Sequence, residues 1–428
     1  MSARSRIFYA HGRERKEILH HEVTKSTKGR FHSSDSFVIF VFFVVRKVLP
    51  KGKVTTMNGL CSLTLLLSLA YWFLAPVAHA ASAGTGLIQA QKEAESKGYR
   101  FDASREDILA RAKKEGALRA LLGFDIAAIK ALRDGFRKKY PFINPHFEEH
   151  GNPAESQRYL LELQSGRVSD WDIANVVTEA QREFAPYQEK IDLRRMAEQA
   201  VLQIPPKMIN PENRNVIALS STIDASAYNK RLLPADLVPK SWEDFLKPEH
   251  SGRKLLADIR PNSIAGLVPA MGLEWVESYA RKLAAQQPIW VRGHTRYLNA
   301  MAAGEYRLFV GTYYHGVMRM KKRGAQDLEA LIIEPVPVRL TETHTIMKGA
   351  RRPNAAMLFL EYAAGPEGQK ILWDVEPFKS SIYSPGSKTE ELVRGKKTSV
   401  GDWEHVMKQP GYMEKLTAAY GFPREEKK

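Results

Sequence analysis

Tyr313, Tyr314, His315 and Arg319 bring two phenols, an imidazole and a guanidinium into one short stretch of the chain. Side chains of these types recognise ligands rich in oxygen atoms or charge, and a guanidinium can grip a carboxylate through two hydrogen bonds. The first three close the stretch Gly304–Gly316, GEYRLFVGTYYHG, in which Arg307–Thr312 reads as a buried strand, and Arg319 follows one turn on. Open α/β sheets place ligands where strands end in this way. Adjacent side chains on a regular strand point to opposite faces. Both tyrosines can therefore meet one ligand only if the strand has ended, which Gly311 and Gly316 permit; otherwise one packs in the core and the other lines a cleft. His315 reads as a neighbour of the ligand or a surface residue. Arg319 reads as an anion-binding residue or a solvated helix charge.

Further candidates lie at the ends of other expected elements. Asn262 and Ser263 precede a helix expected from Ala265 to Gln286, where free N–H groups can hold an anion or Ser263 can act as a plain cap. Asn152 follows the second expected strand, and Thr178 with Glu179 follows the third. Glu148, Glu149 and His150 are close in sequence, but strand alternation separates the two carboxylates. The chain contains no G-x-S-x-G, Walker A, H-E-x-x-H or G-x-G-x-x-G motif, so no motif supports catalysis.

The elements that must position these residues follow an α/β rhythm. A helix over Ser104–Lys114 has a serine cap, acidic first-turn residues and a closing Gly116. Ala117–Gly123 reads as a strand, Ile126–Tyr140 as a helix with apolar residues at helical spacing, and Asn144–Glu149 as a strand. Ala154–Ser165 reads as a helix and Trp171–Val177 as a strand. This spacing suits crossover helices on a parallel sheet. A second α/β unit follows. Strands are expected at Val216–Ser220, Ala225–Asn229, Lys254–Asp258, Arg307–Thr312, Leu331–Pro337 and Thr345–Met347, and helices at His294–Ala303, Asn354–Ala364 and Glu367–Trp373. Two α/β lobes joined by crossing strands form a cleft, the usual place for a ligand.

The 428 residues allow two or three domains, and 44% hydrophobic residues supply ample core. The formal charge is +16, but residues 1–80 carry 12 Lys/Arg against 4 Asp/Glu, half of that excess. The remainder is dispersed, which argues for a solvated surface and against nucleic acid. Leu60–Val77 is a long apolar run followed by Ala78-His79-Ala80-Ala81. It reads as a signal peptide cleaved after Ala80, with an uncleaved anchor as the alternative. Met57 is a candidate start, which makes residues 1–56 an upstream extension. Cys61, the single cysteine, falls in the segment that is removed, leaving no disulfide or thiolate site.

Ala227-Tyr228-Asn229-Lys230, Pro239–Phe245 (PKSWEDF) and Lys247–Arg253 (KPEHSGR) resemble the middle of periplasmic substrate-binding proteins of ABC transporters, in extracellular solute-binding family 1. Lys348-Gly349-Ala350, Pro353–Ala356, Leu358-Phe359 and Gly365–Gln369 resemble that family's C-terminal helix pair. The resemblance spans about residues 105–385 and implies a two-lobed type II periplasmic binding fold with Venus-flytrap closure. It implies lobe 1 over 81–224, lobe 2 over 225–340, a return to lobe 1 with C-terminal helices over 341–428, and hinges near Ser221–Asn229 and Leu340–Ile346.

The family's ferric-iron-binding branch uses an adjacent tyrosine pair, which Tyr313 and Tyr314 match in position. Fe³⁺ is a hard cation that favours anionic oxygen ligands. The branch's histidine or tyrosine after the first strand is replaced here by Gly123-Phe124-Asp125, and its arginine- or tyrosine-containing stretch by Ser220–Asp224. Asp125, Glu179 and Thr222 become the first-lobe candidates, with Arg319 available for a synergistic anion. The resemblance implies a monomeric, non-enzymatic periplasmic protein that delivers ferric iron to an inner-membrane ABC permease. A small organic anion is the alternative ligand. A secreted enzyme using Tyr313 or His315 as acid or base is the reading of another class.

Overall fold

The computed structural model describes residues 86–151, 153–166, 170–177, 180–375 and 379–422. The apolar N-terminal run, Cys61, Asn152, Thr178 and Glu179 lie outside the described residues. Among the described residues no helix is long and apolar enough to cross a membrane.

In the first lobe a helix over residues 86–96 is followed by the helix Arg105–Glu115. The Ser104 hydroxyl accepts the Asp107 N–H at its start, and Gly116 closes it in the left-handed region. Three strands follow, β1 (Ala117–Leu122), β2 (Asn144–Glu149) and β3 (Ile173–Asn175), with β2 and β3 parallel to β1 on either side. The helices Ile126–Lys139 and Pro153–Gln164 make the crossovers. Ile129, Leu132 and Phe136 recur at helical spacing and are buried against Leu118, Leu122 and Phe359 in one apolar core. Burying such a side chain contributes on the order of 1.5–3 kcal/mol.

Where two short strands are expected between Val216 and Asn229, the chain runs as a single strand, β4 (Val216–Asn229), buried along most of its length. Its first part pairs antiparallel with β9 (Val336–Ile346), from Val216↔Thr345 to Ile223↔Val338. Its last part pairs with β7 (Leu308–Tyr313) and β8 (Leu328–Leu331). The polar run Ser220–Thr222 looks like a loop in sequence, yet ladder pairing on β9 carries it through the interior. The strand order is β2-β1-β3-β9-β4-β7-β5-β6, with β5 at Leu256–Asp258 and β6 at Ile289–Val291. β10 (Thr398–Gly401) adds to β9. β6 was not expected from sequence, because IWV is too short to show alternation.

The second lobe has its own core, including Trp242, Phe245, Val276, Leu283 and Leu308. The helix expected over Ala265–Gln286 is three helices, Asn262–Ala265, Val268–Met271 and Leu273–Ala285. Gly272, at φ 80°, breaks the run. In the C-terminal region, Pro353–Ala364 packs into the first core, whereas Trp403–Ala419 sends Leu416 into the second.

Candidate functional site

β7 carries the tyrosines, and its geometry is set by a bulge. Asp224↔Tyr313 and Ala225↔Thr312 pair in one register, Ala227↔Phe309 and Tyr228↔Leu308 in another. The extra residue lies on β7 beside Gly311, whose φ of 69° a side chain rarely adopts. Bulges re-aim side chains. Phe309 and Thr312, three residues apart, both meet His294: the Phe309 ring stacks on it at 5.4 Å and the Thr312 hydroxyl bonds its Nδ1 at 3.0 Å.

The strand ends at Tyr313, and the helix Tyr314–Lys322 starts at the next residue. The two tyrosines therefore sit across a strand-to-helix junction, and their rings have different neighbours. Tyr313 lies 4.0 Å from the His294 ring and 5.4 Å from the His315 ring, with the Arg339 guanidinium 5.4 Å over its face. Tyr314 packs against the cluster of Ile223, Val336, Val338 and Val393. Burial pushes both phenols above their ordinary pKa; for Tyr313 the Arg339 charge works against that rise.

Arg339 is the best-held cation of this region. It donates to the Asp224 carboxylate from Nε at 2.7 Å and from Nη2 at 2.8 Å. The Asp224 side chain is 0% exposed and that of Arg339 17%. Burial opposes the Arg339 charge, but Asp224 and then Tyr313 more than restore it, so its pKa lies above the usual value. Ser263 donates to Asp224 Oδ1 at 3.3 Å, so its hydroxyl serves that carboxylate rather than a helix start. The helix it belongs to is four residues long, with Pro261 at the cap position. A second pair lies beyond His294, whose Nε2 is 3.1 Å from Asp258 Oδ2. Burial raises the Asp258 pKa, but His294 and Arg260 outweigh it and hold the carboxyl below its usual range.

The first lobe meets this cluster through the loop after β1. Asp125 occupies the cap position of Ile126–Lys139 but makes no side-chain cap bond; its carboxylate instead lies 3.6 Å from Arg319. Two candidates from opposite lobes are thus in contact. His315 is half-buried beside them. Burial first, then the charges of Lys379, Arg319 and Arg339, depress its pKa well below the usual imidazole value. Its Nδ1 has no hydrogen-bond partner among the described residues. Thr222 is buried and pairs with Thr341 at 3.3 Å, in the floor formed by β4 and β9.

The same floor supplies groups that sequence inspection missed. Glu342 has a φ of 51°, unusual for a residue other than glycine. One of its oxygens receives a hydrogen bond from Lys379 at 2.6 Å. The other fills space at Gly123, where an added Cβ would stand 2.2 Å from it and 2.6 Å from Asn175 Nδ2. His344 donates from Nδ1 to the Glu342 carbonyl at 2.9 Å and accepts the Gly123 N–H at Nε2 at 3.3 Å. Asp224 and Arg339 had one usable signal: each follows an apolar residue of a strand, Ile223 and Val338, and buried charges are paired. Among the described residues no group of three His, Cys, Asp or Glu side chains could hold a metal ion. Phenol oxygens are thus the distinctive donors here.

The profile of the bacterial extracellular solute-binding proteins matches residues 180–409. No curated protein matches the sequence. Among solved structures, the chain is similar to iron-bound HitA from Pseudomonas aeruginosa, at 18% identity over 72% of this chain and 99% of that one, with a TM-score of 0.52. It is also similar to Trichodesmium IdiA (FutA) in complex with iron and citrate, at 19% identity over 72% and 100%, with a TM-score of 0.58. A GABA receptor matches at 14% identity over 72% and 98%, with a TM-score of 0.53. At such identities the likeness carries the fold, a two-lobed periplasmic binding protein, and not the ligand. The profile covers more than half of the sequence, and the chain belongs to the bacterial extracellular solute-binding proteins, the capture components of ABC importers.

Proposed function

We propose that the protein captures ferric iron together with an oxygen-rich anion in the cleft between its lobes and hands them to an inner-membrane permease. The observation that carries this reading is the junction at which β7 ends on Tyr313 and a helix begins on Tyr314. The first phenol belongs to the last residue of the strand, paired with Asp224, and the second to the first residue of the helix; phenols are a donor type that a hard trivalent cation favours once ionised. Arg319, Arg339 and Lys379, whose charges all reach His315, suit the accompanying anion. The iron-bound neighbours support the same ligand. Asp125, whose carboxylate lies 3.6 Å from Arg319, is the first-lobe candidate for this arrangement. Lobes over 81–224 and 225–340, hinges within β4 and β9, export by a signal peptide cleaved after Ala80 and a monomeric state complete the proposal.

A second reading is a small organic anion without metal. It is favoured by the same cations and by the burial that keeps both phenols protonated in the solute-free protein. The test is to strip the purified protein of metal and anions and titrate ferric iron with and without citrate. Tyrosinate–iron charge transfer is expected to colour the protein, and Tyr313→Phe or Tyr314→Phe to bleach it. A colourless protein whose melting temperature rises with citrate alone replaces the first reading by the second.

A further inference from the structure

Glu342 and Lys379 form an ion pair that sequence reading did not anticipate, and their surroundings suggest a use. Their side chains are 13% and 11% exposed, so the pair is largely withdrawn from water. The Lys379 charge acts on His315, which stacks on Tyr313. Glu342 reaches toward the first lobe, into the space left by Gly123 beside Asn175. Asn175 is 3% exposed. Its Nδ2 donates to the His150 carbonyl at 2.9 Å, while its Oδ1 has no partner among the described residues. The ends of β1 and β3 and the middle of β9 thus converge on one carboxylate.

That carboxylate is not comfortably placed. Glu342 sits in the left-handed region, a strained conformation for a non-glycine residue that persists only where the surroundings impose it. Here the surroundings are His344, which holds the Glu342 carbonyl and the Gly123 N–H on its two ring nitrogens. A buried ammonium needs a counter-charge. It does not need this particular one.

We propose that Glu342 is a resident stand-in for the solute's own anionic group: it neutralises Lys379 while the cleft is empty of solute, and a carboxylate or phosphate oxygen of the solute takes its place on Lys379 when the cleft fills. The proposal rests on the cleft being the solute site, and it holds whether the anion arrives alone or with iron. An internal competitor scales the external ligand's affinity down to the fraction of time it leaves the amine free. The pair thereby sets the affinity for anions and rejects solutes that carry no such group.

The test compares wild type, Glu342→Gln, Lys379→Met and Lys379→Arg for binding of acetate, phosphate, citrate and ferric citrate by calorimetry, with circular dichroism as the check on folding. Removing the competitor in Glu342→Gln is expected to tighten binding of at least one of these anions about tenfold. Lys379→Met is expected to weaken that same anion about tenfold, and Lys379→Arg to retain it. A merely structural pair would lose melting temperature in both glutamate and lysine variants without moving affinity in opposite directions. Equal affinities across the four proteins, including no binding of any probe by any of them, overturn the proposal. Loss of iron colour in wild type with the opposite-direction shifts preserved sinks the iron reading alone.

Discussion

The Asp125 carboxylate lies 3.6 Å from the Arg319 guanidinium, and this contact joins a first-lobe loop to a second-lobe helix. Asp125 has the sequence position of a helix cap, yet makes no side-chain cap bond. The pair is partly exposed, at 55% and 32%, so water and salt screen it. A pair of this kind contributes ~0.2–1 kcal/mol. Asp125→Asn or Arg319→Gln is therefore expected to shift the solute-free population toward the open form by up to about fivefold. Small-angle scattering reads this as a larger radius of gyration. An unchanged radius in both variants would show that the pair does not help hold the lobes together.

Arg339 is a different case, because it is largely withdrawn from water and its partner has no access to water. Arg339→Met leaves the Asp224 carboxylate unpaired in the interior, which costs about 3–5 kcal/mol. Adding Asp224→Asn should recover part of that loss. Thermal unfolding of the single and double variants measures both effects. The double variant melting no higher than the single would show that an unpaired Asp224 is not the source of the loss.

His344 sets a pH dependence. Burial pushes its pKa down to about 3, below the value near 6.5 that it regains when unfolded. The unfolded chain therefore binds a proton that the folded chain does not. The contribution of His344 is fully present above pH ~6.5 and is lost as pH falls toward the folded value, at about 1.4 kcal/mol per pH unit. His344→Gln removes this slope. Denaturation midpoints between pH 7 and pH 4 should fall less steeply for the variant than for wild type, and parallel curves would refute the assignment.

Gly123 is a steric prediction. An alanine there places its Cβ against the Glu342 carboxylate and the Asn175 amide. Overpacking of this kind costs about 1–3 kcal/mol. Gly151, whose added Cβ would meet its nearest atom at an ordinary 3.6 Å, is the control, and Gly151→Ala should melt near wild type. Equal melting temperatures for the two alanine variants would mean that the floor around Glu342 yields freely.

The alternation of strand and crossover helix was legible in residues 104–177, because caps, glycine stops and helical spacing agree there. So was Tyr313–Tyr314 as the end of a strand. The single strand β4 was not, since Ser220–Thr222 is polar and only pairing with a distant segment, β9, makes it a strand. The partners of the tyrosines were hidden for the same reason. Arg339, Glu342 and Lys379 reach the site through pairings and packing between segments far apart in the chain, which no local pattern encodes. Asp125 and Arg319 were each visible alone, but their contact crosses almost the whole second lobe in sequence.

β4 gives the two halves of the molecule something that a flexible linker would not. At Ile223 and Asp224 it changes partners, from β9 on one side to β7 on the other, without a break in the strand. Any motion of one half against the other must then twist a hydrogen-bonded ribbon, so the joint behaves as a torsion spring with a preferred angle. Its amides should exchange with deuterium as slowly as those of either core, even though they lie where the strand passes from one set of partners to the other.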